Sequence, residues 1–137
     1  MKNLVLFLTC AIFLVSLAAC GENKEYADAK EVLGELLLHT EGFVTAADKA
    51  HDVDDAVAAV DKYYSNVSKL SPTLKKIMRK YPGLKENPPE ELKDLIEKLN
   101  NANKDCNRAM AALDNTYGQD PQYTNLKRII IKEAGGK

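Results

Sequence analysis

The sequence predicts an all-α protein: an antiparallel helical bundle of three long helices plus one short C-terminal helix, preceded by a cleaved signal helix. Three observations carry this. Apolar residues recur at alternating spacings of three and four, which places them on one stripe of a helix. Strand-like alternation is missing, and the one β-branched run, Ile129-Ile130-Ile131, would lack a partner strand. The striped segments are joined by turns of a few residues, as in an antiparallel bundle.

The first helix is predicted from about Lys24 to Ala50. Tyr26, Ala29, Leu33, Leu36, Thr40, Phe43, Ala47 and Ala50 form its stripe. Gly34 and Gly42 lie off the stripe and weaken the helix by up to about 1 kcal/mol each. The second helix starts near Asp52, with Asp54 and Asp55 in a first turn where the helix dipole favours carboxylates. Val53, Ala56, Val60, Tyr63, Val67, Leu70, Leu74, Ile77 and Tyr81 continue the rhythm without a break. Ser71-Pro72 reads either as a cap and first residue of a new helix or as a kink in one long helix. The unbroken stripe favours the kink. Tyr81-Pro82-Gly83 ends the helix.

The third helix is expected to begin at Asn87-Pro88-Pro89-Glu90, with Asn87 as N-cap and Glu90 at the capping-box position. Its stripe is Leu92, Leu95, Leu99, Ala102, Cys106, Ala109 and Leu113, widened by Ile96, Met110 and Tyr117. Gly118 ends it. Asp120-Pro121 starts the short fourth helix, with Tyr123, Leu126, Ile129, Ile130 and Ala134 expected to face inward.

At 137 residues the chain is one domain, since two would each have too small a core. With 45% hydrophobic residues and a formal net charge of −1, it is neither wholly disordered nor a general nucleic-acid binder. The charge is uneven. Residues 21–65 hold 4 basic and 11 acidic residues, whereas 66–137 hold 14 basic and 9 acidic. Lys75, Lys76, Arg79, Lys80 and Lys85 are therefore a candidate anion-binding patch, for phospholipid or lipopolysaccharide head groups or an acidic partner. The plainer reading pairs the acidic and basic halves internally, each exposed pair contributing under about 1 kcal/mol.

The first twenty residues read as an address. Met1-Lys2-Asn3 is a short basic start, and Leu4 to Leu17 is an apolar run interrupted by Thr9, Cys10 and Ser16. As a helix that run spans about 21 Å, short of the roughly 20 apolar residues of a membrane span and suited to a secretory signal. Leu17-Ala18-Ala19-Cys20 then resembles the lipobox of bacterial lipoproteins. The resemblance covers residues 1–20 only. It implies a diacylglyceryl group on the Cys20 thiol and cleavage just before Cys20. The expected organisation is signal peptide 1–19, lipidated tether 20–25 and helical bundle domain 26–137. Gly21, where the sorting rule places Asp for inner-membrane retention, implies the outer membrane facing the periplasm if the source is Gram-negative.

Of Cys10, Cys20 and Cys106, only Cys106 keeps a free thiol after such processing. It falls on the third stripe, so it is expected to be buried and inert. No C-x-x-C-H string is present for covalent haem, no catalytic Ser or Cys–His signature, and no Gly-rich phosphate loop. No catalytic residues are expected, and no cofactor beyond the covalent lipid. His51, Asp52 and Asp55 are a weak metal candidate at the first turn; the stronger reading is that Asp52 caps the helix and its neighbours serve the dipole. His39 has no ligand partner at helical spacing. The six tyrosines could line a cleft between helices, although such residues more often fill a core with the hydroxyl at its wet edge.

The expectation is thus a lipid-anchored cell-envelope lipoprotein acting as a non-enzymatic binding module. Its partners would be the membrane, through the anchor, and an envelope protein or anionic envelope polymer. The alternatives are a periplasmic small-ligand or metal carrier with an inter-helix cavity, and a chaperone-like helical protein.

Overall fold

The computed structural model describes residues 24–135. The expected signal helix, Cys20 and the front of the tether lie outside them. The described residues form a single 3-10 turn, Lys24–Tyr26, and four α-helices: α1 Ala27–Asp48, α2 Val53–Lys80, α3 Glu90–Tyr117 and α4 Pro121–Gly135. No strand occurs among the described residues. The Ile129-Ile130-Ile131 run is helical, because a lone strand has no ladder to satisfy its backbone.

α1 is the central element, packed along both α2 and α3, while α2 and α3 touch only briefly. Contacts between α1 and α2 run in opposite senses along the chain. Asp28 meets Lys80, His39 meets Asn66 and Phe43 meets Tyr63. α4 packs against α2 and is bonded to α3 through Asp114.

Two apolar clusters divide the core. The upper one joins Phe43 and Ala47 of α1, Ala56, Ala59 and Val60 of α2, Cys106, Ala109 and Leu113 of α3, and Tyr123 of α4. The lower one joins Ala29, Val32 and Leu33 with Leu70, Ile77, Leu84, Leu92 and Leu99. No α4 residue enters the lower cluster. The short helix therefore covers only the upper part of α2, and the outer face of residues 66–80 has nothing packed over it.

The helix ends follow local chemistry. Asp52 accepts the Asp55 backbone N–H at 2.9 Å and caps α2. Asp55 in turn accepts the His51 N–H at 3.1 Å. Pro72 lies inside α2, which continues through it, as the unbroken stripe indicates. α3 begins later than expected. Its N-cap is Pro89, with φ −54° and ψ 147° and no side-chain cap bond. Each proline pushes the residue before it out of the helical region, so Asn87 and Pro88 cannot open the helix and Asn87 does not cap it. Asp120 starts α4 as expected, accepting the Gln122 N–H at 2.8 Å.

Inward-facing positions agree with the stripes along α1, α2 and α3. On α4 they agree in part. Tyr123 is fully buried and Leu126 and Ile130 are half-buried, but Ile129 and Ala134 are exposed. α4 packs mainly on α2, with its start bonded to the end of α3, so its buried strip is narrower than a helix seated between two long neighbours would show. Leu38 and Ile131 are also exposed, at 66% and 67%.

Candidate functional site

The five residues of the expected anion patch all lie at one end of the molecule, and all are exposed. Lys75, Lys76, Arg79 and Lys80 occupy the last turns of α2, where cations complement the helix dipole. Lys85 lies in the turn that follows. Lys80 differs from the rest. Its Nζ donates to Asp28 Oδ2 at 2.6 Å and sits 4.9 Å from the centre of the Tyr81 ring. The Asp28 bond holds the Lys80 ammonium above the usual lysine range. The same bond, with a second from Tyr81, holds the Asp28 carboxyl below the usual carboxylate range. The Tyr81 hydroxyl lies 2.9 Å from Asp28 Oδ1 and 2.8 Å from the Glu25 carbonyl oxygen and shares its one proton between these two acceptors. The Tyr26 and Tyr81 rings pack with centroids 5.1 Å apart. This clamp fixes the start of α1 beside the cationic end of α2.

The patch extends further than the five residues. From Lys62 to Lys85 the chain holds seven basic residues and no acidic one. At 3.6 residues per turn, Lys69, Lys75, Lys76 and Arg79 fall within about 120° of one another on the side of α2 opposite Leu70 and Ile77. Ser65, Ser68 and Pro72, also exposed, fall within the same arc, with exposed Thr73 at its edge. A charge division at residue 65 leaves Lys62 in the acidic half, and the expected five-residue cluster leaves out Lys69; the acid-free run was the signal available. Among the described residues no ion pair engages Lys69, Lys75, Lys76, Arg79 or Lys85.

The other candidate positions are occupied by structural work. The Asp52 and Asp55 carboxylates are bonded to backbone N–H groups at the start of α2. No group of three or more His, Cys, Asp or Glu side chains arranged to hold a metal ion occurs among the described residues. His39 is half-buried, with Nδ1 3.4 Å from the Asn66 amide and Nε2 3.6 Å from Glu35.

The tyrosines pack onto other aromatic rings. Tyr63 packs on Phe43 and Tyr64, and Tyr117 on Tyr123. Half-buried Tyr63 lies beside buried Thr40 and Cys106 where α1, α2 and α3 meet. Burial, then the Cys106 neighbour, pushes the Tyr63 phenol up, and burial pushes the Cys106 thiol up. Thr40 also donates to the Leu36 carbonyl at 2.8 Å. An open groove of about 340 Å³ between α1 and α3 is lined by Glu41, Thr45, Lys98, Asn101 and Asp105, with mixed charge.

No family model matches the chain, and neither does any curated protein or solved structure.

Proposed function

We propose that the chain is a lipid-anchored protein of the cell envelope, acting as a non-enzymatic binding module whose helices form an antiparallel bundle held at a membrane surface. The observation that carries this reading is the succession of a basic start, an apolar run and Leu17-Ala18-Ala19-Cys20, followed at once by polar residues. A single acyl chain binds a bilayer only marginally, whereas two resist release, so a diacylated Cys20 would hold the domain permanently. The helical domain starts at Lys24, which leaves little free chain between bilayer and bundle. In a Gram-negative source Gly21 favours the outer membrane, with the bundle in the periplasm.

No helix of the described residues is long and apolar enough to cross a membrane. The test is fractionation of cells expressing the wild type and Cys20→Ser. The reading expects the wild type in the detergent-soluble membrane fraction and the variant chain retaining its unprocessed signal. Wild-type protein released by osmotic shock alone would overturn it.

A further inference from the structure

We propose that the outer face of α2, built from Lys69, Lys75, Lys76 and Arg79 with Lys85 at its end, docks on anionic phospholipid head groups and lays the bundle against the bilayer. This rests on the anchored reading and deepens it by naming what the free face of the module touches.

Two independent observations converge. The first is charge. This face carries cations and small uncharged residues without an acid from Lys62 to Lys85, and α4 leaves it uncovered. Of the acids nearby, Asp28 is bonded to Lys80 and Tyr81 and Glu90 is paired with Lys93, while Glu25, beside Tyr81, and Asp61, just before the acid-free run, are exposed. Glu86, which follows Lys85, is exposed too, and these three acids oppose the docking at its edges.

The second observation is reach. Four residue steps separate Cys20 from Lys24, at most about 14 Å of extended chain. The Tyr81 hydroxyl, one residue after Lys80, is bonded to the carbonyl of Glu25. The cationic end of α2 is thus tied to the part of the domain that a Cys20 anchor would hold closest to the lipid. A surface potential acts only over a Debye length, about 8 Å at physiological salt, so this proximity decides whether the charge is felt. A basic cluster at the far end of the molecule would not be. Each cation held at an anionic surface strengthens such a contact about fivefold. The exposed stretch from Lys69 to Arg79 runs about 15 Å along the helix, enough to engage several head groups.

The experiment uses the full lipidated protein, reconstituted on vesicles of phosphatidylcholine alone or of phosphatidylcholine with phosphatidylglycerol. Lysines are acetylated with a water-soluble reagent and read residue by residue by mass spectrometry, with Lys104 on the outside of α3 as the internal reference. On phosphatidylglycerol vesicles, labelling of Lys69, Lys75 and Lys76 is expected to fall at least about threefold against Lys104, and to recover in high salt. Combined Lys75→Gln, Lys76→Gln and Arg79→Gln should abolish the protection of Lys69 while the helical circular dichroism is unchanged. Equal labelling on the two vesicle types overturns the proposal. So does protection seen in intact cells but absent on anionic vesicles, which would assign the face to a protein or soluble polymer instead. Flotation with phosphatidylcholine vesicles reads the anchor by itself: a chain that does not float there sinks the anchored reading, while the labelling contrast still decides the face.

Discussion

Tyr123 is the point at which α4 is fixed to the rest of the molecule, and it offers a quantitative test of the packing. Its side chain is fully buried among α2 and α3 residues. Its hydroxyl donates to Asp114 Oδ1 at 2.8 Å, and Lys127 donates to both carboxylate oxygens, at 2.8 Å to Oδ1 and 2.6 Å to Oδ2. Burial, then the adjacent Asp114 carboxylate, pushes the Tyr123 phenol up. Tyr123→Phe removes one hydrogen bond to a charged acceptor and leaves the ring in place. Such bonds contribute about 1.5–3 kcal/mol. Asp114 keeps Lys127 and is 39% exposed, which places the cost near the low end, about 1.5 kcal/mol. Tyr123→Ala adds an unfilled cavity and should cost about 4 kcal/mol. Asp114→Ala acts through the same bond, so combining it with Tyr123→Phe should cost about 1 kcal/mol less than the two singly. Urea unfolding followed by circular dichroism measures the four variants against the wild type. Strict additivity, or a Tyr123→Ala protein as stable as wild type, would refute this account of how α4 is held.

The remaining predictions are smaller in scope. A Cβ built at Gly34 or Gly42 meets nothing within 4 Å, so Gly34→Ala and Gly42→Ala should each raise stability by up to about 1 kcal/mol, read as a rise in Tm. Gly118→Ala should lower it, because the added carbon overlaps the Asp114 carbonyl oxygen. The Cys106 thiol, buried and pushed up by desolvation, should react with a thiol reagent at neutral pH only as the protein unfolds. Tyr63 and Tyr123 are both raised by burial, so the folded state holds their protons when the unfolded state releases them. Stability should therefore be complete below about pH 10 and decline above it. An ultraviolet titration should show these two phenols ionising together with unfolding. Asp28 is held low by Lys80, so its clamp should hold above about pH 4 and loosen as the pH falls below it, read as faster amide exchange at the start of α1.

The helices were legible because each buries a stripe against a long neighbour, and such a stripe writes its period into the sequence. Leu99, Cys106 and Leu113 show this on α3, and Val60 and Ile77 on α2. What was not legible depends on partners the period does not name. Ile129 sits at a stripe position yet faces solvent, because α4 has neighbours on only part of its circumference. Leu84 carries no period at all, being in a turn, yet it closes the lower core. Asn87 has the right chemistry for a cap, but two successive prolines move the helix start past it. For the candidate site, the five basic residues were evident as a cluster. That they stand beside the start of α1 is a tertiary fact, written in the Tyr81–Glu25 and Lys80–Asp28 bonds. No spacing rule relates residues 52 to 56 positions apart.

The anchored reading has its most direct test in the mass of the N-terminal peptide of the protein purified from its native membrane. The account predicts a chain beginning at Cys20 and carrying a diacylglyceryl group on the sulfur, with the mass shift lost when the fatty acids are hydrolysed. A mature N-terminus elsewhere, or an unmodified Cys20 thiol, would contradict it.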